Sequence, residues 1–328
     1  MKLKTIVANL SLLSVSILLV LLVAEAASRY MVPISPGPKL QSLSGEPLKH
    51  SYIKPGSEYR IITPDYDAPT RITADAYRAP EAIGNPDTVF LGDSFTFGQG
   101  VKDDEAFPAI YCKAKSLSCA NLAVPGSSTL YELDRLESVL KNKGWTPNNV
   151  FLFFFTGNDF SDNLAAAEKR AQGLSYEPPE LRPDVEAQRI QNLSLLKRVV
   201  NLTLHYSNLM RVLYYQVLPE VRQQQDPDAH KNSFNKALSV SEQAFKRLDR
   251  LSNEYAFNYR IFVLYPESEV RQKTYFNIRK SLQSISPTKL ISLGELYAQD
   301  VEGQYFPSDG HLTVKGNKTL ADFLIEQR

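Results

Sequence analysis

Thr88-Val-Phe-Leu-Gly-Asp-Ser-Phe-Thr-Phe-Gly98 is the stretch on which the fold turns. It opens as an apolar run of strand length and passes, at Gly92, straight into a loop that carries a serine. Four more runs of that kind follow, at Ser118–Leu122, Val150–Phe155, Arg260–Leu264 and Lys289–Ser292. Between or after them lie amphipathic helical patterns near Ser127–Lys143, Glu267–Ile285 and Val314–Glu326. Strands alternating with helices predict an α/β domain, a parallel sheet covered on both faces. Val150-Phe-Leu-Phe-Phe-Phe155 has no polar alternation, as a central strand buried on both sides requires.

Short motifs follow the first three strands: Gly92-Asp93-Ser94, then Asn121-Leu-Ala-Val-Pro-Gly126, then Gly157-Asn158-Asp159. In an open parallel sheet the ligand crevice lies at the carboxyl ends of the strands, so these loops are expected to converge. Pro307-Ser-Asp-Gly-His311 comes late, just before the last helix. A serine hydroxyl needs a base to take its proton, and the base needs a carboxylate to orient it. Ser94, His311 and Asp309 supply that set. The N–H of Ser94, the N–H of Gly126 and the amide of Asn158 would face a developing oxyanion. Each motif alone is more often an ordinary turn or capping pair; the four in this order, each after its own strand, are not.

Rival chemistries fail on single residues. Thr96 stands where the nucleophile elbow of α/β-hydrolases needs glycine. Asp103 occupies the third glycine position of a dinucleotide-binding loop. His50, His205 and His230 are scattered without ligand-like partners, so neither a catalytic metal nor any cofactor is expected.

With these motifs the chain resembles the SGNH (GDSL-type) hydrolases, and Tyr77-Arg78 and Glu25-x-x-x-Arg29 resemble its exported, membrane-anchored members. The resemblance covers most of the chain from about residue 70, except a helical insertion at 161–255. It implies a flavodoxin-like, doubly wound sheet of five parallel strands. It also implies Ser94 as nucleophile and first oxyanion donor, Gly126 and Asn158 as further donors, His311 as base and Asp309 as its partner. Asp93 would brace the turn. One departure stands out: many members place the acid three residues before the histidine, whereas Asp309 is two before.

The rest of the 328 residues sets the compartment. Thr5–Ala24 is uncharged and mostly aliphatic, long enough as a helix to cross a bilayer core of roughly 30 Å. Lys2 and Lys4 before it place the N-terminus in the cytoplasm by the positive-inside rule. Ala24-Glu25-Ala26 has the spacing of a signal-peptidase site, so a cleaved signal is the rival; the length of the run favours an uncleaved anchor. Either way the remainder is exported to the periplasm or the cell surface. Overall the chain holds 37 basic and 36 acidic residues, which argues against nucleic-acid binding. Its two cysteines exclude a disulfide-stapled mini-fold, and in an oxidising compartment Cys112 and Cys119 could pair or remain buried thiols. Oligomeric state leaves no mark in the sequence. Two sequons, at Asn192 and Asn201, carry little weight in an unproven compartment.

The expected organisation is an anchor over residues 1–30, a proline-rich spacer over 31–56, and a hydrolase-like domain over 57–328 with a helical insertion at 161–255. Pro178, Pro179, Pro183 and Pro219 punctuate that insertion, and Ile190–Val217 and Phe234–Leu251 read as its helices. The function expected is a serine esterase acting on a small O-acyl group, such as acetyl, on a carbohydrate or cell-envelope polymer or smaller acylated substrate. An O-acyltransferase with the same residues and a non-catalytic carbohydrate-binding assembly protein are the alternatives. The intact set of site residues argues against the last.

Overall fold

The structure, a computed structural model, describes residues 2–45, 48, 53–79, 84–174, 194–286 and 289–327. His50, Pro47, Pro178, Pro179, Pro183 and the Asn192 sequon lie outside the described residues. In chain order the first elements are α1 (Lys2–Met31), β1 (Lys39–Ser42), β2 (Glu58–Ile62), β3 (Asp67–Arg71), β4 (Thr88–Leu91), α2 (Ser94–Phe97) and α3 (Phe107–Lys115). There follow β5 (Cys119–Asn121), α4 (Thr129–Lys143), β6 (Asn149–Phe155) and α5 (Asp159–Ala171). The middle of the chain is helical: α6 (Leu195–Tyr206), α7 (Asn208–Val212), a π-helical turn (Leu213–Val217), α8 (Leu218–Gln225) and α9 (Pro227–Tyr255). The chain closes with β7 (Asn258–Leu264), α10 (Glu267–Gln272), α11 (Tyr275–Ile285), β8 (Leu290–Ser292), α12 (Gly294–Ala298) and α13 (Val314–Glu326).

The main sheet has five strands in the order β5-β4-β6-β7-β8, and every neighbouring pair is parallel. Counted along the chain that order is second, first, third, fourth, fifth, which is the flavodoxin-like, doubly wound arrangement. Its order reverses beside β4, the strand that leads to Ser94, and this is where such sheets open a crevice.

Alternation along β6 assigns the helices to the two faces. Phe151 and Phe153 point the same way as Phe90 and Phe262; Phe153 stacks on Phe262 with centroids 4.9 Å apart and meets Phe107 of α3 at 4.6 Å. Phe154 points the other way and meets Phe160 of α5 and Phe245 of α9. Each such ring, fully buried, contributes on the order of 2–3 kcal/mol, so the aromatic run in β6 fixes both layers at once. Cys112 of α3 and Cys119 of β5 form a disulfide, with Cα atoms 6.2 Å apart, that closes the short connection between them.

Three features differ from expectation. Residues 31–56 are not merely a spacer, because Leu40 and its neighbours form β1, which pairs antiparallel with β2, itself paired with β3. Tyr59, Ile61 and Ala68 of that small sheet pack with Ile72 and Phe97, and their alternation with exposed residues is the ordinary pattern of a one-sided sheet. The helix expected over Glu267–Ile285 is broken at Lys273, which sits at φ +58°. Ile190–Val217 likewise divides at Ser207, whose hydroxyl accepts the Met210 amide and starts a new helix.

Candidate active site

Ser94 is delivered by a turn that only a glycine at position 92 allows. Gly92 has φ +152°, and a Cβ there would lie 2.2 Å from Thr96 Oγ1. Asp93 then caps α2: its Oδ1 accepts the Phe95 amide at 2.9 Å, bracing the first turn as expected. Behind the turn lies the fully buried Arg78, whose guanidinium donates to the carbonyls of Phe97 (2.6 Å), Gly98 and Val101 (2.7 Å) and to Asp103 Oδ1 (3.0 Å). The carbonyls at the end of α2 are thereby satisfied from below.

His311 reaches Ser94 from the loop before α13. Its Nε2 lies 2.6 Å from Ser94 Oγ, and its Nδ1 is hydrogen-bonded to Asp309 Oδ1. The two-residue spacing therefore still brings carboxylate and imidazole together. Gly310, at φ +82°, supplies the tight bend between them. The loop is closed on itself by bonds from the Phe306 amide to His311 O and from the Gly310 amide to Phe306 O. It is also held from outside: Asp65 Oδ2 accepts the amides of Ser308 (2.9 Å) and Asp309 (2.8 Å) and the Ser308 hydroxyl (2.8 Å). The Phe95 ring lies 4.8 Å from the imidazole.

The other two motifs converge on the same place. Asn121 Nδ2 donates to Thr96 O, and the Val124 amide donates to Gly92 O, tying the loop after β5 to the serine turn. Gly126 and Asn158 share with Ser94, Asp309 and His311 the wall of a cleft of about 780 Å³. Among the described residues neither the Ser94 nor the Gly126 amide donates to a protein acceptor. Asn158 Nδ2 donates to Asp162 Oδ2 at 2.8 Å, and the Asn158 amide also acts on the Asp93 carboxyl, drawing it down against its burial. All five expected site residues thus meet at one cleft.

Beneath the serine turn lie carboxyls that the sequence reading missed. Burial pushes Asp93 and Asp162 each up to about 6. Burial, with the nearby Asp93, drives Glu132 and Asp159 well above the usual carboxylate range. Glu132 Oε1 accepts the Ser127 hydroxyl and Asp159 Oδ2 accepts the Phe155 amide, while Glu132 Oε2 and Asp159 Oδ1 have no partner among the described residues. Desolvation shifts each of these acids toward its protonated form. Asp65 was missed too, because no motif in its surroundings, Thr63-Pro-Asp-Tyr, marks it. His205 and His230 are exposed on the helical region, away from the cleft.

A serine bonded to an imidazole whose far nitrogen is held by a carboxylate can pass its proton and attack an acyl carbon. A family model of GDSL-like lipases and acylhydrolases matches residues 88–324. The chain belongs to that family. As a GDSL-like lipase/acylhydrolase it is a hydrolase acting on ester bonds. Among solved structures this acylhydrolase is similar to a lipolytic protein of the G-D-S-L family from Desulfitobacterium hafniense, at 12% identity and TM-score 0.40 over 73% of this chain and 97% of that one. It is also similar to the esterase EstA from Pseudoalteromonas sp., at 11% and 0.38 over 73% and 94%. An acetylxylan esterase from Geobacillus stearothermophilus, in a catalytic-mutant form, matches the acylhydrolase at 10% and 0.36 over 75% and 96%. No curated protein matches it in sequence.

Proposed function

We propose that this acylhydrolase is a membrane-anchored, extracytoplasmic serine esterase that removes a small O-acyl group, such as acetyl, from a carbohydrate or cell-envelope polymer. One observation carries the reading: Ser94, His311 and Asp309 form an unbroken hydrogen-bonded relay on the wall of an open cleft. His311 Nε2 takes the Ser94 proton as Oγ attacks the ester carbonyl, and the carboxylate of Asp309 stabilises the imidazolium. The tetrahedral oxyanion is met by the N–H groups of Ser94 and Gly126 and by Asn158 Nδ2. His311 returns the proton to the departing alkoxide, leaving an acyl-serine. Water, activated by the same imidazole, then releases the acid.

The substrate class is supported by the cleft wall, where Gln216, Glu267 and Ser268 offer polar side chains to a hydroxyl-rich carrier beside the apolar Phe155, Pro266 and Phe306. The anchoring is supported by α1, which holds an 18-residue stretch of mean hydropathy 2.7 with no buried residue in it. In this reading residues 1–30 are the anchor with a cytoplasmic tip, and residues 161–255 are an insertion in the catalytic domain. Full-length protein in detergent should turn over p-nitrophenyl acetate, and Ser94→Ala should abolish that turnover. Full activity in Ser94→Ala would remove Ser94 as nucleophile. Mass spectrometry of acylated polysaccharides after incubation tells whether acyl groups leave, as hydrolysis requires, or arrive, as transfer would.

A further inference from the structure

The apolar helix α1 does not end free of the rest of the protein. Glu25, near its end, takes the amides of Asn208 and Leu209 and the hydroxyl of Ser207, while Arg29 donates to Tyr206 O. Asn208, almost fully buried, donates to Val32 O and accepts the Ile34 amide, and Arg211 donates to Ile34 O, Leu204 O and His205 O. The end of α1 is therefore clamped to the junction of α6 and α7, which fixes how α6 lies relative to the span.

Helix α6 exposes an apolar stripe. Leu195 is 79% exposed, Val199 49%, Leu202 59% and Tyr206 68%, at spacings that put all four on one side of the helix. Asn201 and His205 lie away from that stripe, and the next segment exposes Tyr214, Tyr215, Val217 and Val221. Such a face needs a cover. The stripe ends at Tyr206, whose carbonyl takes Arg29 at the end of α1, so a bilayer crossed by α1 passes beside it.

We infer that the apolar faces of α6 and of Leu213–Val221 rest in the outer interface of the bilayer that α1 spans, as a monotopic second contact. Its tyrosines occupy the headgroup level, where amphipathic rings are stable. The consequence reaches the active site. Pro33, Ile34 and Pro38, just past the end of α1, line the cleft, and so does Gln216 between two of the exposed apolar residues. The cleft consequently opens at the membrane surface, and the ester it receives is borne by a lipid-anchored saccharide rather than by a polymer free in solution. The second part rests on the esterase reading; the membrane contact does not.

Full-length protein in vesicles of phosphatidylcholine and phosphatidylglycerol tests both parts. Trp145 is the chain's single tryptophan and is buried, so Leu202→Trp adds one reporter on the stripe and Asn201→Trp one beside it. Brominated lipid should quench the Leu202→Trp emission and spare that of Asn201→Trp. Equal quenching of the two overturns the contact, and so does protection of Leu202→Trp by self-association of the protein. In the activity arm, the double variant Val199→Glu with Leu202→Glu should lose roughly tenfold on an O-acetylated long-chain alkyl glycoside held in the vesicles, while keeping its turnover of p-nitrophenyl acetate. Unchanged turnover of the vesicle-borne ester overturns the substrate inference. Absence of p-nitrophenyl acetate turnover in the wild type would instead strike the esterase reading, leaving the quenching result to stand alone.

Discussion

Asp65 holds the Asp309 amide at 2.8 Å, although the two residues belong to different layers of the protein and lie 244 positions apart. The same oxygen takes the amide and hydroxyl of Ser308, so one carboxylate in the turn between β2 and β3 fixes the loop that presents His311. The small antiparallel sheet is thus a brace for the relay.

If His311 is the base as proposed, Asp65→Ala should lower kcat by about 10- to 100-fold with little change in KM, because displacing the imidazole by under about 1 Å is costly while the cleft wall stays intact. Asp65→Asn, which keeps an accepting oxygen, should recover much of the loss. Steady-state kinetics on p-nitrophenyl acetate checks this. A rise in KM alone, or no rescue by asparagine, would count against a positioning role.

Asn158→Ala should raise the barrier by on the order of 3 kcal/mol if its amide meets the oxyanion. Asp162→Ala, which frees Asn158 from its tether, should cost less, about tenfold. Comparing kcat/KM for the two single variants and the double variant checks the coupling. Additive losses would mean that Asp162 acts on something other than Asn158.

The buried acids set a pH trend in stability. Their folded pKa values lie above the unfolded ones, so the native state binds more protons across that interval and stability falls as pH rises from about 4 through about 6 and beyond. Glu132→Gln should flatten that fall, since it removes one charge that burial opposes and keeps the acceptor used by the Ser127 hydroxyl. Melting temperatures of wild type and variant between about pH 5 and pH 8 provide the measurement. Parallel curves would show that Glu132 contributes nothing to the trend.

Arg78→Lys should destabilise the fold by roughly 3 kcal/mol, because a single ammonium cannot serve the Phe97, Gly98 and Val101 carbonyls and Asp103 together. Urea unfolding followed by circular dichroism reads the loss. A change below about 1 kcal/mol would mean that water replaces the guanidinium at little cost.

The sheet was legible because its strands are short, apolar and each followed by a turn; Thr88–Leu91 appears in the structure with the bounds read from sequence. That Ser94, Gly126, Asn158, Asp309 and His311 would come together was legible for the same reason, each sitting in a loop next to a predicted element. What escaped notice depends on distant partners. Nothing in Thr63-Pro-Asp-Tyr hints that Asp65 supports a loop near residue 309. Glu132 sits in α4 and reads as an ordinary charged helix residue until folding buries it under Ser127. Likewise β1 was hidden by the prolines on either side of it, since its pairing with β2 is decided by that partner strand rather than by its own composition.

The Ser35 amide donates to Ser308 O at 2.7 Å, immediately after the residues that leave α1. That bond bears on how the polypeptide can be divided. A soluble fragment begun at residue 57, the obvious cut on composition alone, discards the Ser35 tether and the β1 strand, and with Pro33, Ile34 and Pro38 it discards part of the cleft wall. The apolar helix and the hydrolase domain are not interchangeable parts joined by a flexible leash. Exchanging residues 1–38 for another apolar helix of equal length should alter turnover.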